Sequence, residues 1–208
     1  MKGGNKMYSD KGKILKNYVK RKIMKLHDDN NEARVKANLS IMRRGLGKHP
    51  GDIPDMWMLF FEGFPEEFLG KDGEATKEEW AAYQALALFA LSQQGKDIRS
   101  QFMYEEGVGI GTAFRHIAKT DDELEAVRRR FNIILTAEDI IELSHYLRGM
   151  VQLLRSKDIT MDFGELANDL FYYQFDSSRA SIRLKWGQDY YRNLTKETEA
   201  DKEAKNEK

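Results

Sequence analysis

A chain of 208 residues, 41% apolar and 33% charged, is long enough to bury a real core and fits one domain or two small helical ones. It has no cysteine, which excludes disulfides, thiolate catalysis and cysteine-bound zinc and accords with a cytoplasmic home. The net charge is zero, yet residues 1–48 hold 14 Lys+Arg against 4 Asp+Glu, leaving 20 against 30 in the remainder. A basic quarter on an acidic body suits either a polyanion partner or a solvated lysine face.

Residues 1–10 read as a flexible start without the apolar core of a signal peptide. Residues 11–27 suit a helix with Leu15, Val19, Ile23 and Leu26 inward and lysines outward. After the polar break Asp28-Asp29-Asn30-Asn31, a second helix runs to about Arg44. The irregular stretch GLGKHPGDIP follows, and then Met56, Trp57, Leu59, Phe60, Phe61 and Phe64 make a dense apolar patch. Pro65 is the last of three prolines, and their absence beyond it favours helices.

The next helix starts are written as capping pairs: Thr76 with Glu79, Thr120 with Glu123, Thr136 with Asp139 and Asp162 with Glu165. Asp176 or Ser177 opens the last helix, where Ile182, Trp186 and Tyr190 recur at helical spacing beside Arg179, Arg183 and Lys185. No segment alternates with period two, so the expected fold is all-α, with eight to nine helices and no sheet. The longest apolar run, Ala81 to Leu91, is too short to span a bilayer, and no membrane partner is expected. A soft division near Gln93–Glu106 suggests two packed bundles, residues 11–105 with the basic first helix and residues 106–192. The charged segment 193–208 reads as a disordered tail.

Catalytic and metal signals are thin. Glu142-x-x-His145 places both side chains on one helix face, but a di-metal bundle needs two such pairs and two further glutamates. GVGIG at Gly107–Gly111 resembles a phosphate loop without the βαβ unit that would make it one. Two readings remain for it: pliable backbone at a helix start, or free N–H groups facing one phosphate. No nucleophile stands beside a base, so neither catalysis nor a cofactor is expected.

Arginine in pairs and runs is the remaining signal: Arg43-Arg44, Arg128-Arg129-Arg130, Arg148 with Arg155, and Arg179 with Arg183. Lys48 follows the first pair. A guanidinium is planar, permanently charged and able to hold phosphate through two parallel hydrogen bonds. For any single arginine the competing account is a helical ion pair, such as Glu125 to Arg128 or Arg129.

Taken in order, Met42-Arg43-Arg44, DIPDMW, EEWAAYQALALFAL, GVGIGTAFRHIA, AVRRRFNIIL, LSHYLRGMVQLLR and DFGELANDLFYYQFDSSRASIRLKWGQDYY resemble the CasB family. Its members are the small subunit of the type I-E CRISPR Cascade surveillance complex. The likeness spans roughly Ala33 to Tyr191. It implies an all-α, non-enzymatic subunit that pairs head to tail with a second copy. Its implied neighbours are the backbone subunits that wrap the crRNA, and the large subunit. The guide-paired target DNA strand and the displaced strand are implied to run along its basic surface. Arg43-Arg44 and Arg128–Arg130 match the family's basic positions. Thr112 stands where members often carry a basic residue, and Arg115 is the nearby substitute. Leu143-Ser144-His145-Tyr146 replaces a Leu-Arg-Arg-like segment, with Arg148 one turn later.

Overall fold

The computed structural model describes the backbone of residues 3–206 and the side chains of residues 10–192. Nine α-helices are described: α1 Gly3–Asp28, α2 Glu32–Arg44, α3 Pro54–Phe61, α4 Lys77–Ser92, α5 Ile110–Arg115, α6 Asp121–Ile134, α7 Ile140–Ser156, α8 Phe163–Tyr173 and α9 Asp176–Asn206. A single 3-10 turn spans Glu66–Phe68. Among the described residues there is no strand, only one isolated bridge between Tyr104 and Met161. The fold is all-α. The expected flexible start and disordered tail fall on termini whose side chains lie outside the described residues.

Three of the expected caps form. Thr76 accepts from the Glu79 N–H while the Glu79 carboxylate accepts from the Thr76 N–H. Thr120 accepts from the Glu123 N–H, and Asp162 from the Glu165 N–H. Each satisfies backbone donors that a helix start leaves open. The fourth pair divides its labour instead. Asp139 caps α7 alone, accepting from the N–H groups of Ile141 and Glu142. The Thr136 hydroxyl points backward and donates to the Ile133 carbonyl at the end of α6, the habit of a threonine closing a helix.

The fold is built around α4. Its stretch from Ala81 to Leu91 is buried on every side, which is why the run is apolar without a polar face. Helices α1, α2, α7 and α8 pack against it, α8 also packs on α1, α5 packs on α9, and α6 packs on α7. The buried residues form one hydrophobic cluster reaching from Leu15 to Tyr190. The segment near residue 105 is thus a connector within a core that continues past it, and its Met103 and Tyr104 are themselves buried.

Gly111 sets the crossing of α5 on α9. A Cβ there would come within 2.7 Å of the Tyr190 nitrogen and closer still to the Trp186 carbonyl oxygen. Close backbone-to-backbone packing thus accounts for a glycine at position 111. Beneath this crossing, Asp169 accepts from Trp186 Nε1 at 2.7 Å and from Lys185 Nζ at 2.6 Å. Lys185 also holds Glu165, and Glu165 holds Lys16 of α1. This chain of charges joins α1, α8 and α9.

The asymmetric charge is largely consumed inside the molecule. Lys11 pairs with Glu78, Lys16 with Glu165 and Asp162, Lys20 with Glu106, and Lys22 and Lys25 with Glu62, at 2.6–3.5 Å. Five lysines of the basic first helix are therefore paired with carboxylates of the acidic body.

Candidate nucleic-acid interface

The arginines sort into engaged and available ones. Arg115 is 9% exposed and donates to the Ala118 carbonyl; burial in α5 corrects its expected place on the binding surface. Arg183 donates to the Ala137 carbonyl at 2.6 Å and to the Tyr173 hydroxyl at 3.1 Å. Arg179 donates to the Tyr173 carbonyl and pairs with Asp176. Both guanidinium groups lie over the Tyr173 ring. The basic shoulder of α9 is thus engaged as a clasp on the turn before α7 and on the end of α8.

Arg43 and Arg155 come together from distant parts of the chain. Burial, and then the nearby Arg155, push the Arg43 guanidinium below its usual pKa, though an arginine so shifted stays charged. Each sits in the last turn of its helix, where the helix dipole favours cations and offsets part of their repulsion. Arg155 Nη1 donates to Gln94 Oε1 at 2.8 Å. Arg148 is exposed two turns earlier on the same face of α7. Among the described residues none of Arg43, Arg148 and Arg155 enters an ion pair. Arg44 pairs with Asp55 at 2.8 Å on the surface, and Lys48 is exposed on the following loop.

The α6 run is exposed at all three positions, but consecutive helical residues point about 100° apart, so the run is not one patch. Arg129 pairs with Glu125, as the ion-pair reading expected. Arg130 alone turns toward α7, where it lines a groove of about 610 Å³ with Ile133, His145, Tyr146, Gly149, Met150, Gln152, Leu153 and Ser156. Sequence reading missed Gly149 and Gln152, although their spacing from His145 and Ser156 places all four on one stripe of α7.

Glu142 accepts from the Glu138 N–H and the Tyr146 hydroxyl. Glu142 and His145 have no further ligand-type side chains gathered with them among the described residues. Nor is any described helix long and apolar enough to cross a membrane.

The expected apolar patches differ in kind. Phe171 and Tyr173 are core, whereas Trp57, Met58 and Phe61 of α3 and Leu69 stand exposed. Trp57 Nε1 donates to the Pro50 carbonyl, which fixes its ring beside a cleft of about 320 Å³ whose rim includes Glu74 and Glu79.

Residues 38–191 match the family described as CRISPR-associated protein Cse2. The chain belongs to the Cse2 (CasB) family. The match begins inside α2 and leaves α1 outside it. Among solved structures, CasB from Thermobifida fusca is 29% identical with a TM-score of 0.66, covering 85% of this chain and 97% of that one. A CRISPR-associated protein of the Cse2 family from Thermus thermophilus is 24% identical with a TM-score of 0.62, covering 85% and 97%. A chain of a CRISPR RNA-guided surveillance complex shares the fold at 21% identity and a TM-score of 0.69, covering 90% and 99%. Comparison with curated proteins gave no match.

Proposed function

We infer that this Cse2-family chain is the non-catalytic small subunit of a type I-E Cascade complex in antiviral defence. In this role it binds nucleic acid without sequence preference and stabilises the opened target. Its proposed partners are the crRNA-wrapping backbone subunits, the large subunit, a second copy of itself, the crRNA and the target DNA. The observation that carries the reading is the arginine stripe of α7, where exposed Arg148 and part-buried Arg155 share one face and neither enters an ion pair among the described residues, with the Arg43 charge felt beside Arg155. Mutual repulsion makes such a cluster costly to the isolated fold, and a phosphate track relieves it.

Opening a duplex against a guide exchanges one helix for another at nearly balanced free energy. A few neutralised phosphates are therefore enough to favour the open state and to slow reannealing of the displaced strand. The test is a charge reversal at Arg43, Arg148 and Arg155 to Glu in the assembled complex. The helical circular dichroism should persist while target affinity falls at moderate salt. The slope of log affinity on log salt should shrink by about one for each phosphate no longer neutralised. Unchanged target affinity would sink the reading.

A structural adaptor that touches no nucleic acid is the second reading, and the exposed Trp57, Met58, Phe61 and Leu69 favour it. An apolar patch of this kind fits a protein neighbour. On this reading Met58→Asp should impair assembly, and the free chain should show no salt-dependent affinity for single-stranded DNA; a log affinity that falls linearly with log salt would count against it.

A further inference from the structure

The groove between α6 and α7 has features that phosphate neutralisation does not require. Its floor is apolar: Met150 is buried, Leu153 and Tyr146 are half-buried, and Ile133 remains 49% exposed at its edge. The Tyr146 ring is fixed by its hydroxyl, which donates to Glu142 at 2.8 Å, and it meets the exposed His145 ring edge-on at 5.8 Å. Arg130, Gln152 and Ser156 supply polar groups around this floor, and no lining residue is acidic.

Gly149 is the telling residue. It sits in the middle of a seventeen-residue helix, and a Cβ added there would meet nothing within 4 Å. Neither a positive φ nor a close helix crossing asks for glycine at this position, and glycine weakens a helix interior relative to alanine. What it does is keep the wall of the groove flat and open.

Resting on the nucleic-acid reading above, we propose that this groove receives an unstacked base of the single strand whose phosphates follow the arginines. The His145 and Tyr146 rings offer aromatic surface, and every base has a face to stack on it. The Gln152 amide carries both a donor and an acceptor, so it serves any base edge. Arg130 lines the groove, and helical spacing puts Arg148 and Arg155 on the α7 stripe next to Gln152, so positive charge flanks a floor without acidic residues, which matches a polyanion that dips one base between two phosphates. The cleft beside Trp57 lacks this complementarity, since its rim is acidic.

The full-length chain is to be titrated with an oligothymidylate and with an abasic strand of the same length and phosphate count, at low and moderate salt. The base-bearing strand should bind about tenfold tighter, and the ratio should hold as both affinities fall with salt. Gly149→Leu, whose Cβ meets open space, projects an apolar side chain into the groove and should bring the ratio to about one while thermal stability stays level or rises. His145→Ala should lower the ratio in part. Equal binding of both strands by the unaltered chain overturns the base pocket and leaves the arginine reading standing. So does a ratio that Gly149→Leu leaves intact; if that variant then also fails to assemble, the groove belongs to a protein neighbour. Binding of neither strand overturns both readings together.

Discussion

Asp169 shows what a single buried carboxylate does in this fold. It is 2% exposed, it receives the Trp186 indole N–H and the Lys185 ammonium, and burial pushes its pKa up despite them. The apolar stripe of α9 and the anchoring role of Trp186 are legible in the sequence, because residues spaced by four share a face. The acceptor is not, because an aspartate on a helix reads as a solvated group until the neighbour that covers it is known. Asp169→Ala should leave a buried indole donor unmatched and take one of two anionic partners from Lys185. We expect a loss of about 3 kcal/mol, seen as a lower urea midpoint with an unchanged slope. Arg183 teaches the same lesson in reverse: its charge is plain in the sequence, but only the structure shows that the Ala137 carbonyl accepts from its guanidinium.

At the scale of the helix, two helical glycines act with opposite signs. Gly111→Ala pushes a methyl group into the backbone of α9, which cannot move aside as a side chain can. It should cost about 2 kcal/mol or more. Gly149→Ala meets open space and should stabilise α7 by about 0.5–1 kcal/mol. Thermal unfolding of the two variants in parallel separates these outcomes. The glycine cluster before α5 is visible in the sequence, but its partner lies more than seventy residues away, beyond the reach of any local pattern.

Helix α1 carries a pH dependence whose sign follows from its partners. The hydrogen bond from Lys25, joined by Lys22, holds the Glu62 carboxyl below its usual range, and Lys20 does the same for Glu106. A carboxylate whose folded pKa is depressed adds stability above its unfolded value of 4.5, and that stability is lost as pH falls through the lowered folded value. From about pH 5 downward, α1 should therefore loosen before α4 does. Hydrogen exchange corrected for intrinsic rates should show α1 amides losing protection first, and Glu62→Gln with Glu106→Gln should remove part of that pH dependence, the pair of Lys16 with Glu165 keeping the rest. The lysine-rich face was plain in the sequence; that its counter-ions sit on α4, α8 and two loops of the same chain was not.

The whole molecule is organised by α4 and α8 rather than by the order of the chain. A reader of the sequence divides it near residue 105, where polar residues and glycine gather, and the all-α class and most helix ends follow from capping pairs and periodicity. Yet Phe163, Leu166 and Leu170 of α8 belong to the same cluster as Leu15 and Val19 of α1 and Leu86 and Phe89 of α4. Periodicity reports which face of a helix is buried, never which distant helix buries it. A core shared in this way predicts one cooperative transition for the intact chain, with calorimetric and van't Hoff enthalpies equal. A fragment ending at residue 105 would expose the α1 and α4 surfaces that α8 covers, and would leave Lys16 without Glu165. It should show helical circular dichroism well below its share of the intact chain and bind hydrophobic dye. Adding a peptide covering α8 should restore part of the signal. A fragment that unfolds cooperatively on its own would instead establish two independent bundles joined at the connector.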